Sequence, residues 1–254
     1  MDIGKAFTFI FEDPDWLKKV AIGTGLTLLG IIFSIVLIGL IPLIIVTGYT
    51  VVLIKNVMDG VEQPLPEWED WGDLFMSGLK LFAILLIWAI PLIIVSVGSS
   101  VPAVLSENSD IQGLWIAVSV FCSCLTFVLG IALGLIEPVI TFRFARSGEF
   151  ASGFEFGKIF RLFGDNIANI IITVIIAAVA GFVLVILGGI VGTILLVIGL
   201  FVTFPAAVFL AALVEAHLFG QVGREAEAKS VTELRNRRED CLCTPADCQN
   251  RRET

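Results

Sequence analysis

Carboxylates inside long apolar stretches are the clearest candidates for chemistry in this 254-residue chain. Glu137 lies six positions before Arg143, a separation of about 9 Å along a helix. Glu215 lies two positions before His217, the one histidine of the chain. If these stretches cross a membrane, charges within them are rare and often functional. We expect Glu137 and Glu215 to line a cavity that binds a cation or a proton. The alternative is that both are hydrated at the interface or paired with basic residues.

The elements that must position these residues are membrane-spanning helices, so the expected fold class is all-α. The chain is 57% hydrophobic and 16% charged, whereas soluble domains average about 45–50% and about 25%. Residues 20–54, 81–106, 111–136 and 166–214 carry no charge, and a spanning helix needs about 20 apolar residues. These blocks are continuously apolar, whereas transmembrane β-strands alternate.

The longest blocks must fold back on themselves. Residues 166–214 would reach about 74 Å as one helix, so we expect a hairpin at Gly188-Gly189. Residues 20–54 are expected to break near residue 39, although one long span is the alternative. The result is a polytopic transmembrane bundle of about six spans within a domain of residues 1–222. The expected spans are 17–38, 40–57, 75–101, 112–142, 167–187 and 191–217.

The placement of basic residues indicates the orientation. Six spans put all 16 Lys and Arg on one side of the membrane, and such residues favour the cytoplasmic side. We therefore expect a cell-membrane protein with both termini in the cytoplasm. The charged tail, residues 223–254, is expected to be disordered or loosely helical. Its Cys241, Cys243 and Cys248 have an unusual spacing for a zinc site and no nearby histidine.

Two amphipathic helices, at about 3–12 and 154–164, are expected to lie at the membrane interface, because each gathers apolar residues on one face. Between them, residues 55–75 form an acidic cytoplasmic loop with two tryptophans. This loop is either a docking surface or a headgroup anchor. The residues that would form the docking surface are Pro64, Pro66, Trp68, Asp70 and Trp71.

A short pattern recurs three times along the chain. The segments 3–7 (IGKAF), 71–75 (WGDLF) and 156–160 (FGKIF) share an apolar residue, a glycine, a charge and a phenylalanine. Each precedes two expected spans. We interpret this as three degenerate repeats of a helical hairpin, although duplicated hairpins occur in transporters and elsewhere.

Several function classes are disfavoured. The chain has no phosphate-binding loop, zinc-protease motif, nucleophile elbow or dinucleotide fingerprint. We therefore expect no enzyme, no catalytic residue, and no cofactor or metal. Nucleic acid is not an expected partner, because the tail's basic residues alternate with acids. The expected partners are the lipid bilayer and a membrane protein or a second copy of the chain.

Two hypotheses about function remain open. The first is a non-enzymatic accessory or scaffold protein that organises lipids or protein partners. The second is a small-solute or ion transporter that uses the repeat interface with Glu137 and Glu215. A polar track through the bilayer would favour the transporter, and a wholly apolar core would favour the scaffold.

The most distinctive residues lie in the first third of the chain. They are Asp13-Pro14 before Trp16, Gly48-Tyr49, Leu65-Pro66, Asp70-Trp71-Gly72 and Gly78. In these the chain resembles the domain-of-unknown-function 4013 family, which comprises multi-pass membrane proteins of archaea and bacteria. The resemblance covers most of residues 1–225. It implies a membrane protein and supplies no activity, substrate or catalytic residue.

Overall fold

The protein is described by a computed structural model over residues 2–105, 112–195 and 199–242, and the fold is all-α. No strand occurs within those ranges. Short 3₁₀ segments at Ser34–Val36 and Phe150–Phe154 join some of the helices. The helices are α1 (Ile3–Glu12), α2 (Trp16–Ile32), α3 (Leu40–Met58), α4 (Trp71–Leu105), α5 (Gln112–Ser147), α6 (Phe156–Asp165), α7 (Ile167–Ile194) and α8 (Leu200–Leu242).

Five of these helices are long and apolar enough to cross a membrane, namely α3, α4, α5, α7 and α8. The multi-pass membrane prediction is therefore confirmed. The remaining expected span, 17–38, corresponds to α2, whose 17 residues reach about 26 Å, at the lower limit for crossing a hydrocarbon core of about 30 Å.

The chain breaks between α2 and α3, so residues 20–54 form two helices. Leu37, at the break, has φ 59°, a left-handed conformation that ends the helical path. Gly39 allows the two helices to meet closely, because a Cβ there would lie 2.3 Å from the Gly30 carbonyl oxygen. A single continuous helix over residues 20–54 is therefore excluded.

Residues 166–214 form two helices packed against each other, as predicted, but the turn expected at Gly188-Gly189 is not there. Helix α7 continues through Ile194, and the next helix begins at Leu200. Gly188 instead permits close packing of α8, because a Cβ there would lie 2.6 Å from the Ala207 side chain. The Thr203 hydroxyl stabilises this contact by donating a hydrogen bond to the Gly188 carbonyl at 2.8 Å. The glycines serve helix packing and do not mark a turn.

The packed core joins α3, α4, α5 and α8. Its largest fully buried side chains include Tyr49, Leu53, Ile84, Phe144 and Phe209. The helices differ in how far they are buried. Within the most apolar 18 residues of each helix, 39–44% of the residues are buried in α3 and α8, but none are buried in α5. Helices α3 and α8 thus lie closest to the packed core, whereas the first half of α5 presents apolar side chains outward.

Helices occur at both positions predicted to be interfacial. Helix α1 buries Phe9 and Ile10 and exposes Phe7 and Phe11. Helix α6 buries Ile159. Its Phe156 and Phe160 are exposed. The repeat is not confirmed, because the second copy of the pattern opens α4 directly.

The predicted tail begins as a helix, since α8 continues through Leu242. It is tied to the bundle by Arg146 at the end of α5. The Arg146 guanidinium pairs with Asp59 at 2.6 Å and with Glu227 at 2.5 Å, so the ends of α3 and α5 meet α8 in its second half. Cys241 falls in α8, and Cys243 and Cys248 lie outside the described residues.

Candidate functional site

Glu137 of α5 and Glu215 of α8 line the same cavity, of about 190 Å³. Both side chains are half-buried. Neither carboxylate forms a hydrogen bond or ion pair with any residue in the described ranges. The two acidic residues singled out in the sequence are therefore neighbours, although 78 positions separate them.

Three threonines supply further oxygen atoms to this cavity: Thr47, Thr50 and Thr141. Each hydroxyl donates to a carbonyl of its own helix, at 2.7–3.0 Å. Their lone pairs therefore remain free to accept. Carboxylate and hydroxyl oxygens, with no sulfur or imidazole, form a ligand set for a hard cation or for a proton.

Pairing of these glutamates with basic residues does not occur in the described part of the chain. Arg143 pairs instead with Glu155, just before α6. Arg143 also lines a separate cavity with Lys158 and Arg161. His217 lines a third cavity. Of the four residues proposed for an intramembrane site, the structure brings Glu137 and Glu215 together and leaves Arg143 and His217 apart from them.

The loop proposed as a docking surface folds down onto the core. Pro64, Pro66 and Trp68 are buried, whereas Asp70 and Trp71 are exposed. The Trp68 ring stacks on Tyr49, with centroids 4.1 Å apart. The Tyr49 hydroxyl donates to the Pro66 carbonyl at 2.9 Å. Most of the candidate docking residues are thus structural contacts and are not available to a partner.

At the centre of this loop contact is Lys19, which is 4% exposed. Its ammonium group pairs with Asp13 at 2.7 Å and with Glu67 at 2.6 Å. It also donates to the Leu65 carbonyl at 3.1 Å, and its own carbonyl accepts from the Trp68 indole at 3.0 Å. The positive charge on a buried side chain is thereby compensated.

The sequence alone did not reveal this role, because Lys19 is one of many basic residues that were expected on the cytoplasmic side. A signal was nevertheless present. The distinctive residues of the chain include Asp13, Tyr49 and Leu65-Pro66, and all of them meet around Lys19 or its loop. These residues therefore fix the fold of the loop between α3 and α4 against α2.

The long apolar helices and the packed core define a multi-pass helical membrane protein. The chain belongs to the family described as protein of unknown function (DUF4013), whose sequence model matches residues 31–214, more than half of its length. No curated protein and no solved structure matches the chain. Asp13, Pro14 and Trp16 precede the matched segment.

Proposed function

We propose that this protein is a small-solute or ion transporter of the cytoplasmic membrane, with Glu137 and Glu215 as its cation- or proton-binding groups. The single observation that supports the proposal is the shared cavity of two unpaired carboxylates. A charged side chain inside a membrane costs free energy, so such residues are usually paired with another group or have a function. A cation between the two carboxylates, or a proton shared by them, would lower their mutual repulsion.

The expected orientation has both chain ends in the cytoplasm. The contact of the N-terminal segment with α8 supports this arrangement, because the Asp2 amide donates to the Gln221 side chain at 2.7 Å. Asp2 and Gln221 must then lie on one side. With α2 as a sixth span, the positive-inside preference assigns that side to the cytoplasm. The cavity at Glu137 would open toward it.

Glu137→Gln and Glu215→Gln are each expected to lower cation or proton flux by about tenfold or more, because an amide cannot carry the charge that balances the ion. The measurement is uptake into proteoliposomes containing the purified protein, for H⁺, Na⁺ and K⁺ in turn. Glu149→Gln is the matched control, since Glu149 is exposed and lies outside the cavity. Its flux should equal that of the unmodified protein.

The result that would contradict the proposal is equally definite. If both glutamine variants fold, as judged by size-exclusion elution, and every flux is unchanged, the cavity has no transport role. An effect of similar size in Glu149→Gln would point to general surface electrostatics, and the proposal would also be withdrawn.

An accessory or scaffold function, without catalysis or a cofactor, is the second candidate, and the outward face of α5 favours it. Phe121 and Phe127 are 68% and 70% exposed. A membrane partner or a second copy of the chain would cover this face, although lipid chains also suit it. Gentle purification from the native host followed by mass spectrometry tests the idea. A stoichiometric protein partner supports the scaffold function, and a protein that emerges alone opposes it.

A further inference from the structure

An apolar groove lies near the end of α2, the end of α7 and the start of α8. Its volume is about 530 Å³, within the range of about 300–1,000 Å³ that is usual for small-molecule pockets. Ile32, Ile186 and Phe204 form part of its wall, and none of the described residues that line it has a polar side chain. The groove shares no residue with the cavity at Glu137, so the transport proposal does not involve it.

Gly189 keeps this groove open. It lines the groove, and a Cβ at this position would meet nothing within 4 Å. The neighbouring Gly188 differs, because the absence of a side chain there allows α8 to pack closely. Glycine inside a helix costs about 1 kcal/mol relative to alanine, and close packing does not explain that cost at Gly189. The space that this glycine leaves is available to a ligand.

The turn between α2 and α3 indicates which phase surrounds the groove. Ile31 and Ile32 of the groove wall lead directly into this turn. The apolar side chains of the turn are exposed, and Ile35 and Leu37 are the extreme cases at 92% and 72%. Contact with hydrocarbon is more favourable than contact with water for such side chains.

The polar groups of the turn form hydrogen bonds within the turn itself. Five of its backbone amides donate to nearby carbonyl oxygens at 3.0–3.2 Å, namely those of Val36, Leu37, Gly39, Leu40 and Ile41. Ser34 is the one residue with a polar side chain between α2 and α3, and its hydroxyl donates to the Ile31 carbonyl at 2.8 Å. Backbone that faces hydrocarbon needs such internal bonds, because no water is present there.

The lengths of α2 and α3 also place the turn within the bilayer. Lys18 and Lys55 are exposed, and their ammonium groups belong at a membrane surface. From Lys18 to Ile32, and from Leu40 to Lys55, each helix reaches only about 21–23 Å. A hydrocarbon core is about 30 Å thick, so a turn at that distance stops short of the opposite surface.

We propose that the groove binds one hydrocarbon chain of a membrane lipid, at a depth where the α2–α3 turn lies within the bilayer. A polar ligand would find no polar side chain in the groove to replace its bonds to water. A partner helix is about 10 Å across, so the groove would hold only about one turn of it. A lipid chain is thin, apolar and present at this depth. Because the chain and the groove are equally apolar, binding depends on van der Waals packing.

The first experiment tests whether a lipid chain is held in the groove. The full chain is reconstituted in nanodiscs with phosphatidylcholine that carries a diazirine at the middle or at the end of one acyl chain, and adducts are mapped by mass spectrometry after photolysis. Simple contact with lipid should follow exposure, which is 68% for Phe121 and 70% for Phe127 on α5 but 61% for Phe201 and 36% for Phe204 in the groove. A chain held in the groove should reverse this order.

Variants that fill the groove provide the specific test. Gly189→Leu should lower the labelling of Phe201 and Phe204 about tenfold or more, because the added side chain occupies the space of the lipid chain. Gly189→Ala should lower it less, and this variant should fold because alanine favours the helix. Gly134→Leu is the matched control, because a Cβ at Gly134 also meets nothing within 4 Å and Gly134 does not line the groove. Its groove labelling should equal that of the unmodified protein.

The second experiment measures the depth of the turn. Ile35→Cys is introduced into a chain whose five native cysteines are replaced by serine, and the protein in nanodiscs is treated with a membrane-impermeant maleimide. Glu149→Cys in the same background is the reference, because Glu149 is exposed and follows the end of α5. The thiolate is the reactive form and does not form in hydrocarbon, so Ile35→Cys should react about tenfold more slowly or less.

Each outcome decides the proposal. Labelling that is concentrated in the groove and removed by Gly189→Leu, together with slow reaction of Ile35→Cys, supports it. Labelling that follows exposure alone, or that both Gly189 variants leave unchanged, shows ordinary lipid contact and overturns it. A dimer in native mass spectrometry whose groove is unlabelled assigns the groove to a second copy of the chain and also overturns it. Reaction of Ile35→Cys as fast as Glu149→Cys overturns it too, because the turn then lies in water.

Discussion

Lys19→Ala is expected to destabilise the protein by about 3–5 kcal/mol, because the variant leaves the carboxylate of Asp13 buried without its partner. Asp13 is 3% exposed, so water cannot replace the lost ammonium group. Glu67 contributes less, since about half of its side chain is exposed. The Leu65 carbonyl also loses its lysine donor. The loop that carries Trp68 should then detach from α2.

The measurement is the thermal midpoint of the purified protein in detergent, followed by tryptophan fluorescence. Lys18→Ala is the control, because Lys18 is exposed beside the same turn and surface changes are usually within about 0.5 kcal/mol. Lys19→Met combined with Asp13→Asn should recover part of the loss by removing the unpaired charge. A Lys19→Ala variant that melts with the unmodified protein would show that this ion pair does not hold the loop.

The parts of the fold that follow from local sequence could be predicted. Continuous apolar blocks dictate membrane helices wherever they occur. The all-α class followed from these blocks, and helices α1 and α6 followed from the apolar residues on one face of each helix, so none of the three needed tertiary information. The start of α7 at Ile167 followed from the end of the charged segment. These patterns do not predict which helices pack against each other.

The errors arose where one residue type has two physical roles. Glycine permits a turn, and it also permits two helices to approach closely. Gly188 lies in an apolar run without polar neighbours, so nothing local distinguishes these roles, and the packing role is the one observed. A buried lysine poses the same problem, because the carboxylates that compensate Lys19 lie 6 and 48 positions away.

The candidate site was predicted in part. Glu137 and Glu215 stood out because charge is scarce in their surroundings, and the structure puts both on one cavity. Arg143 and His217 were grouped with them by proximity in sequence. On a helix, side chains two and six positions apart point in different directions. That geometry explains why both belong to other cavities.

Gly78→Ala is expected to separate α3 from α4 and to cost about 3 kcal/mol or more, at the upper end of overpacking effects. A Cβ at Gly78 would lie 1.9 Å from the Ile44 carbonyl oxygen. Gly48 faces the same contact, where a Cβ would lie 1.8 Å from the Leu74 carbonyl oxygen. Both obstacles are helical backbone, which cannot move aside as a flexible side chain would.

Gly98→Ala is the matched control, because Gly98 lies on the same helix and a Cβ there meets nothing within 4 Å. Alanine favours the helix over glycine by about 1 kcal/mol, so Gly98→Ala should melt at the same temperature or slightly higher. Comparison of thermal midpoints in detergent measures both effects. Equal midpoints for Gly78→Ala and Gly98→Ala would mean that α3 and α4 are not in backbone contact.

The same contact governs the candidate site, because α3 and α4 contribute Thr47 and Leu81 to the wall of the Glu137 cavity. Moving the helices apart would draw the Thr47 hydroxyl away from the carboxylates and admit water between them. If the protein transports cations as proposed and Gly78→Ala still inserts in the membrane, the cation flux of this variant should fall together with its melting temperature. Unchanged flux in a destabilised variant would show that ion binding does not require the α3 wall.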